Sequence, residues 1–211
     1  MIRANQEIRE GRLGSAQWYW LKFLWGQSKN APEVQQVWWD SRTKEESQRS
    51  KWENFNYVVL PYDHRTVNPK EIVFDIDFES PFKTFEKVRD ANIRLHKALQ
   101  KNKIPHILTQ SGGRAFHQHI FYKSPLSRVA LAKKVLKKCG MLGFYGDKRP
   151  IDPQPINHSR HMIRMIGGRK IVDKEQFHYK TLIDDIPDVI KPVVDKKNVR
   201  FPEEVEIWNS N

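Results

Sequence analysis

Two carboxylates, Asp75 and Asp77, stand two residues apart in the run Val73-Phe74-Asp75-Ile76-Asp77-Phe78. In an extended strand, residues two apart share a face, with Cα atoms about 6.5–7 Å apart. Carboxylates held so on a half-buried surface repel one another and raise each other's pKa, and a divalent cation removes the repulsion. Magnesium or manganese suits such a pair, because both prefer oxygen ligands and leave positions open for phosphate oxygens. Two such ions can clamp the attacking hydroxyl and the leaving pyrophosphate of a phosphoryl transfer. A solvent-facing strand that merely alternates gives the same pattern, so the pair alone is a weak signal.

A second group of residues follows in Ser111-Gly112-Gly113-Arg114-Ala115-Phe116-His117. Backbone N–H groups of a glycine turn can form an anion nest, and Arg114 adds a fixed positive charge, which makes a plausible triphosphate grip. An ordinary hairpin turn with a satisfied histidine is the plain alternative. Downstream, Asp152 in Pro150-Ile151-Asp152-Pro153 is a candidate third metal carboxylate, though Asp-Pro is also common turn chemistry. Arg164 lies in the apolar run Met162-Ile163-Arg164-Met165, where a cation calls for an anionic partner, either a phosphate or a carboxylate.

These residues need elements to position them. Alternation predicts a strand over residues 71–78, with Ile72, Phe74, Ile76 and Phe78 on one face and Val73, Asp75 and Asp77 on the other. Helical spacing of Phe85, Val88, Leu95 and Leu99 predicts a helix over 82–102. Strands are predicted over 105–110 and 116–123, joined by the glycine turn, with His117 and His119 on a common face. A second helix is predicted over 128–139, closed by Gly140, and strand character returns at 162–166. The resulting order β-α-β-β-α-β is the split βαβ, ferredoxin-like arrangement, with helices on one sheet face and the other free for ligands. The fold class expected is therefore α+β.

Taken together, the three segments resemble the motifs of the archaeo-eukaryotic primase superfamily. Val-Phe-Asp-Ile-Asp-Phe is similar to its D-x-D motif. Ser111 and His117, six apart, are similar to its Ser/His motif, and Asp152 with Arg164 twelve residues on is similar to its third. The resemblance spans roughly residues 56–170. It implies an RRM-like catalytic palm, two Mg2+ or Mn2+ ions held by Asp75, Asp77 and Asp152, and template-directed addition of nucleotides from NTPs or dNTPs. Ser111, Arg114, His117 and Arg164 would then contact the incoming triphosphate. Family members often follow the Arg strand with P-G-S-L-H-G-K; here the sequence is Met-Ile-Gly-Gly-Arg-Lys, so Lys170 falls where the histidine would stand. Arg169 or Lys170 would replace it as a phosphate ligand. A single-stranded DNA template, nucleoside triphosphates and a larger replication or repair subunit are the partners implied.

Two rival chemistries use similar residues. His117-Gln118-His119 resembles the His-x-His metal site of rolling-circle replication endonucleases, but Tyr179-Lys180 lacks the spacing of their tyrosine nucleophile. A non-catalytic single-stranded nucleic-acid-binding sheet would present aromatics where this strand face carries Asp75, Asp77 and His117.

Composition agrees with a polyanionic partner. The chain has 211 residues, enough for one domain, and 37 Lys and Arg against 25 Asp and Glu give a net charge of +12. We divide that domain into an aromatic and charged N-terminal α/β region (1–65), a catalytic core (66–175) and a C-terminal extension (176–211). Six of the seven tryptophans fall in the first region, at 18, 20, 25, 38, 39 and 52, and core packing is the simpler reading than base stacking. A helix is predicted there over 15–25 and a strand over 56–60. The extension, with Pro187, Pro192 and Pro202, reads as an extended surface strap. The single cysteine, Cys139, excludes a disulfide framework and a Cys-rich zinc site, and the His158/His161 spacing alone does not suggest zinc. With no signal-peptide pattern and no membrane span, a cytoplasmic location is expected, or a nuclear one in a eukaryote.

Overall fold

The computed structural model describes residues 63–76, 82–158, 160–173 and 176–210, and before these Trp20, Phe23, Leu24 and the backbone of four short strands. Those strands are β1 (Glu33–Gln35), β2 (Val37–Asp40), β3 (Glu45–Gln48) and β4 (Glu53–Asn54). The main body runs β5 (His64–Thr66), β6 (Glu71–Asp75), helix α1 (Phe85–Lys101), β7 (Ile107–Gln110), β8 (Phe116–Lys123) and helix α2 (Arg128–Lys138). The short helix α3 (Gln154–Asn157) follows, then β9 (Met162–Arg164), β10 (Arg169–Asp173), β11 (Gln176–Tyr179), β12 (Thr181–Leu182) and β13 (Ile207–Asn209). This is a mixed α/β protein with largely antiparallel sheets.

The central sheet runs β12-β7-β8, with β6 on the other side of β8. β13 pairs in parallel with the second half of β8, so the C-terminal extension is not only a surface strap: its end is a strand of the sheet. One sheet face carries both helices. Ile72, Phe74, Ile76 and Ile120 from the sheet pack with Val88, Leu95 and Leu99 of α1 and Leu131, Ala132, Val135 and Leu136 of α2. Each helix starts where its cap allows. Thr84 accepts the N–H of Lys87, and Ser127 accepts that of Ala130. After α2, Gly140 takes φ +67° and lets the chain turn back. Gln118, the polar exception on this face, is tied by its amide to the carbonyl of Asn92 at 3.0 Å.

Two expectations need correction. The strand at 162–166 does not complete the central sheet. It is limited to Met162–Arg164 and pairs with β5 in a second sheet ordered β4-β1-β5-β9. The place beside β6 is held by a single antiparallel bridge, Ile76 to Ile151. Nor is the second face of the central sheet free. Val67, Val73 and Ile163 form a small apolar cluster across it, and Trp20, Leu24, Ile107, Phe121, Met165 and Ile166 form a larger one. Trp20 is therefore a core residue, stacked on Phe23 and edge-on to Phe121. Of the predicted 15–25 helix only Trp20, Phe23 and Leu24 are described, and they are helical; the predicted strand at 56–60 lies outside the described residues.

Candidate active site

Strand register brings the candidate residues to one end of the sheet. Asp75 on β6 lies directly opposite His117 on β8, and Val73 opposite His119. Side chains alternate along a strand, so Glu71 and Asp75 share a face with His117 and His119. The N–H of Asp152 donates to the carbonyl of Asp75 at 3.0 Å, which sets the two candidate carboxylates on touching backbones. Asp152 also serves its own turn, accepting the N–H of Gln154 at 2.9 Å. Asp77 lies outside the described residues.

Covering β5 and β9 turn this face into a polar interior. Arg65 donates two hydrogen bonds of 2.8 Å to Glu71, with both side chains at most 1% exposed. Glu71 also faces His119 Nδ1 at 2.7 Å. The next link is Lys180, wholly buried, whose Nζ stands 3.1 Å from His119 Nε2 and 2.7 Å from His117 Nδ1. His117 in turn points Nε2 at Asp75 Oδ2, 3.3 Å away. An unbroken polar chain therefore runs from Arg65 through Glu71, His119, Lys180 and His117 to Asp75.

The electrostatics follow from this packing. Burial, reinforced by Lys180, pushes His119 down to about 3, against the pull of Glu71. Burial also brings His64 to about 3, aided by Arg164, Lys180 and His117. His117 is lowered by burial too, with Asp75 opposing and Lys180 assisting. Burial alone would raise Glu71 and Asp75. Arg65 and His119 overcome it for Glu71, and His117, Lys180 and His161 for Asp75, so both carboxyls titrate below their usual range. Lys180 is held well below the ordinary lysine range by burial first and then by Arg65.

The glycine turn closes the other side of the site. Arg164 donates to the carbonyl of Ser111 at 3.1 Å and to that of Arg169 at 3.0 Å. Lys170 crosses Gly113 so closely that a Cβ there would stand 2.7 Å from its Nζ. Of the two turn glycines only Gly112 takes positive φ, +82°. The N–H of Gly113 is used by Ser111 Oγ at 3.3 Å, so the expected anion nest has one donor fewer. Arg114 is exposed at the turn. Arg169 is committed elsewhere: its backbone N–H, Nε and Nη2 all bond the carboxylate of Asp63.

The site thus brings together Asp75, Asp152, His117, Ser111, Arg164 and Lys170. Sequence reasoning missed Arg65, Glu71 and Lys180. Alternation along β6 carries a signal for Glu71, since it repeats with Asp75. Lys180 carries none, because nothing in Tyr179-Lys180-Thr181 marks a buried amine. It reaches the histidines because β12, which it precedes, pairs with β7 at Thr109 and Gln110.

No cluster of three or more His, Cys, Asp or Glu side chains with metal-holding geometry occurs among the described residues. Asp75 Oδ1 is buried without a hydrogen-bond partner. No helix among the described residues is long and apolar enough to cross a membrane.

No protein-family profile matches the chain. Among curated proteins the chain is similar to a tRNA dimethylallyltransferase of Vesicomyosocius okutanii subsp. Calyptogena okutanii (strain HA), with 28% identity over 141 residues. The similarity covers 61% of this chain and 44% of that protein, so the chain spans less than half the length of this relative.

Proposed function

We propose that the chain is the core of a template-directed nucleotidyl transferase of the primase–polymerase kind. The observation that carries this reading is the Asp152 N–H to Asp75 C=O bond, which joins the first and third resembling motifs at one strand end. The second motif is adjacent through the Asp75–His117 pair. In this reading β6-α1-β7-β8-α2 with the bridge at Ile151 is an RRM-like palm whose last strand is reduced to that bridge.

Asp75 and Asp152, with Asp77, would hold Mg2+ or Mn2+; the orphaned Asp75 Oδ1 fits a hard cation that prefers oxygen. When bound, such ions activate the attacking hydroxyl and stabilise charge on the leaving pyrophosphate. Ser111, Arg114, His117, Arg164 and Lys170 would bind the triphosphate, Arg164 and Lys170 reaching it from β9 and β10 beside the Ser111–Arg114 turn. Lys180 Nζ sits between the rings of His117 and His119, the position a shared metal ion would need, and this weighs against the rolling-circle endonuclease reading. A single-stranded DNA template, NTPs or dNTPs and a larger replication or repair subunit remain the proposed partners, in the cytoplasm or nucleus. The similarity to a tRNA dimethylallyltransferase and the net charge of +12 both accord with a polynucleotide partner.

The test supplies the purified chain with Mg2+ or Mn2+, primed or unprimed single-stranded DNA and each nucleotide pool in turn. Labelled products are expected, and Asp75→Asn and Asp152→Asn should each abolish them while the fold persists. Undiminished synthesis by either variant overturns the reading, as does transfer of a dimethylallyl group to tRNA in place of nucleotide addition.

A further inference from the structure

We propose that the helix-bearing face of the central sheet docks single-stranded DNA, with its phosphates over the lysines of α2 and Arg94 of α1 and one base against Phe82 and Phe144. The choice of DNA rests on the nucleotidyl-transfer reading; the surface and the need for a single strand do not.

Charge is not spread evenly along the chain. No Asp or Glu occurs between Asp90 and Asp147, whereas eleven Lys and Arg do. The rest of the chain is nearly balanced, 26 basic residues against 25 acidic, so this one stretch carries almost all of the net charge of +12. Among the eleven, Arg94 and Lys97 of α1 and Lys133, Lys134, Lys137 and Lys138 of α2 are exposed. None of these six forms an ion pair among the described residues. Both helices pack on the same sheet face, so their solvent sides point the same way. A helix face that only meets solvent ordinarily mixes the two signs. Lys137 and Lys138, in the last turn, suit the helix dipole, but Lys133 and Lys134 a turn earlier gain nothing from it. Four like charges kept within two turns call for an extended anion.

An apolar hollow adjoins this charge. Arg94 Nη2 donates to the carbonyl of Gly140 at 2.9 Å, just past the end of α2. Arg94 also lines a hollow of about 330 Å³ with Phe82, Phe144, Ala91, Lys87 and Asp90. The two phenylalanine rings lie 5.0 Å apart, and both are half-buried. The one carboxylate of the lining, Asp90, is paired with Arg89 at 3.3 Å. Flat apolar rings among cations suit a nucleobase on a phosphate backbone, and only a single strand can turn a base out to reach them. An acidic protein face or an anionic membrane would use the lysines and leave the hollow empty. The hollow also adjoins the candidate site. The Phe144 carbonyl accepts the N–H of Ile151 at 2.9 Å, and the next residue, Asp152, bonds the backbone of Asp75. A strand held on the helix face therefore lies beside the strand end that carries Asp75.

The experiment is fluorescence anisotropy of labelled oligothymidylate with the full chain, without metal or nucleotide, over a range of salt. Lys133→Gln, Lys134→Gln and Lys137→Gln combined should weaken binding about tenfold or more at low salt. The slope of log affinity against log salt should fall by about 2, at roughly 0.7 per phosphate contact on a single strand. Phe144→Leu keeps the apolar packing but removes the ring, and should weaken the single strand about tenfold and a duplex not at all. Neutralising Lys191, Lys196 and Lys197 of the C-terminal extension to Gln controls for net charge and should change little. Equal loss in the two triple variants overturns the surface, as does tighter binding of a duplex or of phosphatidylserine vesicles than of oligothymidylate. Tighter binding of oligouridylate overturns the choice of DNA. The substituted lysines are exposed, so the first triple variant should keep its fold, checked by thermal melting, and it decides even if Phe144→Leu does not fold. A chain that binds oligothymidylate through this face yet adds no nucleotide under any condition sustains the surface and removes the nucleotidyl-transfer reading. Nucleotide addition with an unchanged template KM in that triple variant overturns the surface alone.

Discussion

Replacing Glu71 with alanine tests whether the polar interior is one rigid, dry network. Glu71 is wholly buried and accepts two 2.8 Å bonds from Arg65, one of 3.0 Å from the Asn68 N–H and one of 2.7 Å from His119. Truncation strands four donors and leaves the Arg65 guanidinium, 1% exposed, without its counter-charge. Breaking a buried pair from one side costs roughly 3–5 kcal/mol, because the remaining charge is uncompensated. With a urea dependence of about 2 kcal/mol per molar, the unfolding midpoint should fall by about 2 M. The exposed Arg200–Asp184 pair is the internal control. It has similar geometry, 2.8 Å and 3.0 Å, but side chains 55% and 78% exposed. Asp184→Ala should therefore leave the midpoint close to that of wild type. Arg65→Met combined with Glu71→Met should recover only part of the loss, since the Asn68 and His119 donors stay orphaned. A Glu71→Ala midpoint no lower than that of Asp184→Ala refutes the reasoning, because it would mean that water or a rearrangement satisfies the abandoned guanidinium.

Acid should weaken the fold early. His64 and His119 are held to about 3 in the native chain against 6.5 when unfolded, so the unfolded state binds their protons first as pH drops. Their contribution is complete above pH 6.5 and is lost progressively as pH falls toward 3. Glu71, whose native pKa is depressed, adds a further loss that begins as pH falls through its unfolded value of 4.5. Urea titrations at pH 7, 6 and 5 check this, and equal stability at all three contradicts neutral burial of the histidines. Gly168→Ala should destabilise by about 1–3 kcal/mol, because a Cβ there collides with the Asp63 carbonyl and stands 2.9 Å from that of Met165. Thermal denaturation measures it, and a melting temperature within a degree of wild type contradicts the collision.

What the sequence determined by itself is what depends on neighbours along the chain. Alternation in β6 and β8 placed Ile72, Phe74 and Ile120 against the helices and set Asp75, His117 and His119 on the opposite face. Helical spacing located α1 and α2, while the start of α1 at Phe85, three residues later than the spacing suggests, is set by the Thr84 cap seen in the structure. The candidate site was legible to the same degree, as three short segments each readable alone. Only the tertiary structure decided what covers that opposite face. The pairing of β9 with β5, and not with β6, depends on contacts between Thr66 and Met162, nearly a hundred positions apart, which no local period encodes. The same holds for Lys180, brought beside His117 by the pairing of β12 with β7. A lysine on its own reads as a surface residue, and only the two imidazoles and two carboxylates gathered around it make its burial tolerable. Asp75 accordingly reads from the sequence as one half of a metal pair, and from the structure also as the end of a polar chain that begins at Arg65.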